Sequence, residues 1–197
     1  PSSESSFFGT RNSSSEDWIH ANLATDGDIT FYYESNNTAS EARTSSVVFS
    51  DGSASWTHLV FVADNSENQL KIYVNGSLVS VSGGDLSSVT MGDWTSSDEL
   101  FIGARDNNGT AEMFIDSNIA NVGIWNRAIS ASEVESIRWR GSYSELQDTE
   151  LTNLVSWYNL QSTSLGSELI TNGDLDDDNG DFESAGVDGT DIETGTD

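Results

Sequence analysis

Cysteine is absent from the 197 residues and proline occurs once. The first absence excludes disulfides, thiolate zinc sites and cysteine nucleophiles together. Positive charge is almost as scarce, with 7 Lys+Arg against 33 Asp+Glu and a net charge of −26. That surplus repels phosphate backbones and anionic lipid heads, which argues against nucleic acid as a partner and against membrane insertion. No apolar run approaches the roughly 18–20 residues that a spanning helix needs. His20 and His58 are the only histidines, and no serine sits in a Gly-x-Ser-x-Gly elbow. A hydrolase triad therefore has no anchor. Gly-rich loops that could cradle phosphates are missing as well.

What remains is a chain with 35% hydrophobic and 10% aromatic residues, long enough for one sizeable core. Long helical patterns are nearly absent. Short runs of period-2 alternation recur instead, separated by Asn, Asp, Gly and a large supply of serine, 33 in all. This is the pattern of an all-β sandwich. Ile19, Ala21 and Leu23 alternate against Trp18, His20 and Asn22, and Asp26-Gly27 turns the chain into a second strand at 29–33. Val47-Val48-Phe49 is expected to begin another strand. The strongest stretch runs from Trp56 to Ala63, turns at 64–68 and returns through 70–74 to Asn75-Gly76, a pair suited to the positive φ of a tight hairpin. Further strands are expected at 78–81, 100–103, 113–125 and 154–160, with a polar loop at 104–112. One short helix is expected at 131–138, where Ser130 and Glu133 form a capping box. Residues 1–16 read as a Ser-rich segment, 17–166 as the sandwich and 167–197 as a solvated tail with 11 acidic residues from Glu168 onward.

Two stretches carry a family resemblance. The first is Ser55-Trp56-Thr57-His58-Leu59-Val60-Phe61-Val62 followed by Leu70-Lys71-Ile72-Tyr73-Val74-Asn75-Gly76-Ser77-Leu78-Val79. The second is Leu100-Phe101-Ile102-Gly103-Ala104 followed by Ile119-Ala120-Asn121-Val122-Gly123-Ile124-Trp125-Asn126-Arg127-Ala128 and Ile129-Ser130-Ala131-Ser132-Glu133-Val134. In order and spacing they resemble the hairpin and the close of laminin G-like, concanavalin A-like domains, over roughly residues 7–160. The resemblance implies an antiparallel jelly-roll sandwich of two sheets. Strands that such domains usually carry before Phe7 are not in this sequence. Leu154-Val155-Ser156-Trp157-Tyr158-Asn159-Leu160 resembles the strand with which such a domain begins. Related sandwiches include glucanases that cut with a Glu-x-Asp-x-x-Glu strand motif. No Glu here has Asp at +2 and Glu at +5, so that route to hydrolysis is excluded and no enzyme is expected.

The expected function is a non-catalytic carbohydrate-binding or adhesion module, extracellular and displayed on a virion or cell surface. Its partners would be glycans or a cell-surface receptor. The alternative is a structural virion protein, a decoration or fibre component, whose partners are neighbouring virion or surface-protein subunits. Sugar recognition needs exposed aromatic faces flanked by polar groups. Trp94 is the candidate, with Arg105 and Asp106 beside it, the other reading being that Trp94 plugs its own loop. Trp18, Trp56, Trp125 and Trp157 lie in strand patterns and read as core. Trp139 and Tyr143, after the helix, read as a partner patch. Calcium is the expected ion, with Asp64 and Asn65 or Asp106 and Asn107 as ligands, since it prefers carboxylate and carbonyl oxygens. The competing reading is that these Asp and Asn residues only make turns.

Overall fold

Alternation in the sequence becomes sheet faces in the computed structural model, which describes residues 3–11, 17–50, 52, 55–90, 99–107 and 109–160. Four strands open the fold: β1 (Ser5–Arg11), β2 (Trp18–Leu23), β3 (Ile29–Ser35) and β4 (Thr38–Thr44). Next come β5 (Leu59–Asp64), β6 (Gln69–Val74), β7 (Ser77–Leu78), β8 (Val81–Gly83) and β9 (Leu100–Ile102). The chain closes through β10 (Arg105–Asp106), β11 (Ala111–Glu112), β12 (Val122–Trp125), α1 (Ala131–Ile137), α2 (Asp148–Leu151) and β13 (Leu154–Tyr158). A six-stranded antiparallel sheet has the order β8-β4-β3-β2-β1-β9. A three-stranded sheet, β5-β6-β7, packs against its inner face, and β12 pairs with β13. The expected jelly-roll sandwich of antiparallel sheets is the architecture found. No helix among the described residues is long and apolar enough to cross a membrane.

Register decides which side chains enter the core. Ala21, Phe31 and Ala42 lie side by side across β2, β3 and β4. With Ile29, Tyr33, Leu70 and Ile72 they form the inter-sheet core, against which Phe61 and Phe8 pack. The opposite face of β5 and β6 is buried too. There Val62 and Tyr73 meet Ile129, Val134, Ile137 and Leu146, with Val60, Trp125, Leu154 and Trp157 at the margin. Burial on both faces explains why Leu59-Val60-Phe61-Val62-Ala63 is an unbroken apolar run rather than an alternation. Helix α1 has the anticipated capping box, with Ser130 accepting from the Glu133 backbone and Glu133 reaching back to the Ser130 N–H.

Several expectations are corrected. Ser5–Arg11, read by composition as part of a Ser-rich segment outside the sandwich, is strand β1, paired with β2 on one side and β9 on the other. A register shift between Ser6 and Phe8 lets Phe7 and Phe8 both pack on the core. Val47-Val48-Phe49 is not a strand, because Val48 N–H and Phe49 N–H both bond to the Gly27 carbonyl. Any side chain at Gly27 would meet the Phe49 carbonyl oxygen at 2.0 Å, and its φ is +87°. β4 was hidden by its polar sequence, and the Asn36-Asn37 turn before it has positive φ at both positions. The single expected helix is joined by α2, and within the expected loop Arg105–Asp106 pairs with Ala111–Glu112 as a small hairpin. Trp94 and the tail from residue 167 lie outside the described residues.

Candidate functional site

The outward-facing residues of the six-stranded sheet gather most of the unusual chemistry. In the strand register Arg11 stands beside Trp18, Gly9 beside His20, and His20 beside Tyr32. The β10–β11 hairpin lies across β1 at Gly9, where an added Cβ would come 3.0 Å from Arg105 Cα and 3.2 Å from the Asp106 nitrogen. Gly9 is therefore the residue that lets the hairpin approach. Gly9→Val is expected to cost about 1–3 kcal/mol through overpacking. Urea denaturation, together with faster amide exchange over 105–112, checks it.

Asp106 anchors this hairpin. It is almost fully buried; its Oδ2 accepts the Arg11 N–H at 3.1 Å and its Oδ1 the Gly109 N–H at 2.7 Å. The Arg11 guanidinium donates to Asn107 Oδ1 at 3.1 Å, and Asn107 Nδ2 donates to Glu112 Oε2 at 3.0 Å. Arg105 pairs with Glu112, its Nε lying 3.0 Å from Oε1. Hydrogen bonds from Arg105 and Asn107 hold the Glu112 carboxyl below its usual range. Both guanidinium groups rest on Trp18, with Arg11 at 4.6 Å and Arg105 at 5.0 Å from its ring centroid. The indole also meets His20 at 4.7 Å and the edge of Tyr32 at 5.6 Å, while His20 and Tyr32 stack at 4.8 Å.

The electrostatics follow from that packing. His20 is 5% exposed, and burial, aided by Arg105, pushes its pKa down to about 3. It is neutral at physiological pH. Tyr32 donates to Glu34 Oε2 at 2.9 Å; burial and that bond, with Glu34 and Glu41 nearby, push its hydroxyl up to about 12. Four buried polar atoms of this face have no hydrogen-bond partner: Arg11 Nε, Trp18 Nε1, His20 Nδ1 and Asn22 Oδ1. Buried polar groups are nearly always paired, so a cluster of exceptions on one face marks it for water or ligand.

The expected site residues fare differently. Arg105, Asp106 and Asn107 are brought together, with Arg11, Trp18 and Glu112 as partners. Trp18 was read as core, but it occupies the outer face. Trp56, also read as core, is 71% exposed, because β5 begins only at Leu59. Trp125 and Trp157 are partly buried and pack against the second core. Asp64 is buried in its turn, accepting from Ser66, Glu67 and Lys71, the last at 2.8 Å; its neighbour Asn65 is exposed. Among the described residues no group of three or more His, Cys, Asp or Glu converges to hold a metal ion. Trp139 and Tyr143 are 69% and 57% exposed. The Arg138 guanidinium sits 4.6 Å over the Trp139 ring. Tyr32 was missed as a site residue. The usable signal was an aromatic alternation, Trp18 and His20, on the face opposite Ile19 and Ala21.

No curated protein matches the chain. Among solved structures, a native heptameric SAP-like pentraxin from Limulus polyphemus shares 14% identity at a TM-score of 0.45, over 69% of this chain and 63% of that one. An S-layer domain-containing protein from Clostridium thermocellum shares 18% identity at a TM-score of 0.32, over 70% of this chain and 64% of that one. This chain thus spans less than two thirds of either. The family model described as the Concanavalin A-like lectin/glucanases superfamily matches residues 1–135, more than half of the chain, and the protein belongs to that family.

Proposed function

We propose that this protein is a non-catalytic carbohydrate-binding and adhesion module of a cell or virion surface, and that it binds through the outer face of its six-stranded sheet. The observation that carries this reading is the Trp18–His20–Tyr32 ladder, with Arg11 and Arg105 over the Trp18 ring, on a face where four buried polar atoms lack partners. Aromatic rings offer sugar C–H groups a flat apolar surface, and fixed N–H donors beside them orient hydroxyls. The chemistry of the carboxylates supports binding rather than catalysis. A glycosidase needs one carboxyl held protonated near neutral pH. Every described carboxyl with a displaced titration, Asp64, Asp85, Glu112, Glu133 and Glu150, is displaced downward instead. Trp139 and Tyr143 are proposed as the contact for a neighbouring subunit, on the strength of their exposure.

A glycan array, run with calcium and with EDTA, tests the binding reading. Trp18→Ala is expected to weaken array hits by roughly tenfold to a hundredfold, the scale of an aromatic hot spot. Trp139→Ala should leave them unchanged. Binding retained in EDTA assigns recognition to side chains alone, whereas binding lost in EDTA makes calcium part of the site. A blank array from folded protein sinks the reading.

A further inference from the structure

All seven Lys and Arg residues of the chain are among the described ones, and six are engaged in internal ion pairs. Arg43 pairs with Asp26 and Asp28, Lys71 with Asp64 and Glu67, and Arg105 with Glu112. Arg127 pairs with Glu133, Arg138 with Glu135 and Arg140 with Glu150. The seventh, Arg11, lies against Trp18 and donates to Asn107. Resting on the glycan reading above, we propose that the ligand of the outer face is an uncharged polyhydroxy saccharide, and that uronic, sulfated and sialylated glycans are excluded.

Three observations carry this. Recognition of a carboxylate or sulfate calls for a guanidinium or ammonium able to offer it two donors. On this face the Arg105 guanidinium is already directed to Glu112, and the Arg11 guanidinium lies against Trp18 and donates to Asn107. Second, the face is rimmed by carboxyl groups. Glu34 bonds Tyr32 and Glu41 stands opposite Tyr32 in the register, while Asp106 is buried in the hairpin and Glu112 is paired with Arg105. A net charge of −26 adds long-range repulsion of an anionic polymer. Third, the unpartnered atoms are of both kinds. Trp18 Nε1 and Arg11 Nε donate, whereas Asn22 Oδ1 accepts. A hydroxyl both donates and accepts, directly or through a water, and so complements such a set. A carboxylate or sulfate group only accepts, so the charged group itself cannot answer Asn22.

The experiment is isothermal titration of the intact chain with laminarin, dextran, mannan and xylan, against alginate, carrageenan, hyaluronan and cationic chitosan. Each is run at low and at high NaCl, with wild type and Trp18→Ala; Tyr32→Ala, on the same face, serves if Trp18→Ala does not fold. A neutral polysaccharide is expected to bind with an affinity that changes less than about twofold with salt, because no ion pair forms. Its affinity should fall at least about tenfold in the variant. The anionic polymers are expected to bind at least about tenfold more weakly even at high salt, where screening removes the long-range part of the repulsion. An anionic or cationic polymer that binds more tightly than every neutral one, and loses that binding in the variant, overturns the inference while leaving the glycan reading in place. Absence of binding to polysaccharides of every charge overturns both.

Discussion

Phe31→Ala is expected to lower the stability of the protein by about 3–5 kcal/mol, against total stabilities of about 5–15 kcal/mol for single domains. Phe31 is 1% exposed at the middle of β3. Its cross-strand neighbours on the core side are Ala21 and Ala42, and its ring lies 5.4 Å from that of Phe61 on the opposing sheet. Alanines on both sides mean that one phenyl ring fills a width of three strands. Their methyl groups cannot reach into the vacated space, so the cavity persists and the loss belongs at the upper end of the range. Phe31→Leu refills most of that volume and should cost about 1.5 kcal/mol or less. Chemical denaturation followed by circular dichroism separates the two. Equal losses would mean that the sheets close over the gap, contrary to the packing described.

Acidification is expected to produce a stability maximum near pH 4–5 rather than a plateau. Hydrogen bonding from Lys71 and Ser66 holds Asp64 down at about 2, and the Arg127 guanidinium holds Glu133 at about 2. Burial would raise Glu150, but Arg140, Ser136 and the Gln147 N–H outweigh it and leave it lowered. Each folded value lies below the unfolded one, so each contribution is complete above the ordinary carboxylate range. It is lost as pH falls from about 4.5 toward about 2. Together these groups amount to a few kcal/mol, since one unit of displacement is worth about 1.4 kcal/mol. The excess of 33 acids over 7 cations acts in the opposite sense above that window. Neutralising unpaired carboxylates as pH falls from about 7 to about 5 relieves self-repulsion and raises stability. Added salt at neutral pH should stabilise by the same route. Thermal midpoints between about pH 2 and 8 check both limbs. In Lys71→Met the acid limb should begin at higher pH, because Asp64 then titrates nearer its ordinary value. A thermal midpoint constant from about pH 5 down to about 2.5 would show that these pairs do not hold the fold.

Where apolar and polar residues alternate cleanly, or a short apolar run is bounded by turn residues, the strands were legible without coordinates. Residues 18–23, 29–33, 59–63, 70–74 and 100–102 all sit close to their expected places, as does the capped helix at 131–137. Turn chemistry was equally readable at Asn75-Gly76, where both residues have positive φ. Thr38–Thr44 and Ser5–Arg11 were not legible. The inward residues of Thr38–Thr44 are Ser40, Ala42 and Thr44, so hydropathy shows no contrast there, and in Ser5–Arg11 the register shift at Phe7-Phe8 breaks the alternation. Val47-Val48-Phe49 misled for the opposite reason, since an apolar triplet can be held by hydrogen bonds to one glycine carbonyl without joining a ladder.

The candidate site shows the same division. Composition alone established a chain without thiols and poor in cations, because those properties depend only on which residues are present. Alternation set Trp18 and His20 on the side of the strand opposite Ile19 and Ala21, because side-chain period along a strand is a local property, but Trp18 was still read as core. Whether that face is open, covered or paired is decided between strands. The registers that set Arg11 and Tyr32 beside the Trp18–His20 row join residues distant in the chain. So does the approach of Arg105 and Asp106 across Gly9, about a hundred positions away in sequence. Local pattern specifies which side of a strand a residue occupies; contacts across the sheet, which cost loop closure and are repaid only on folding, decide what it meets there.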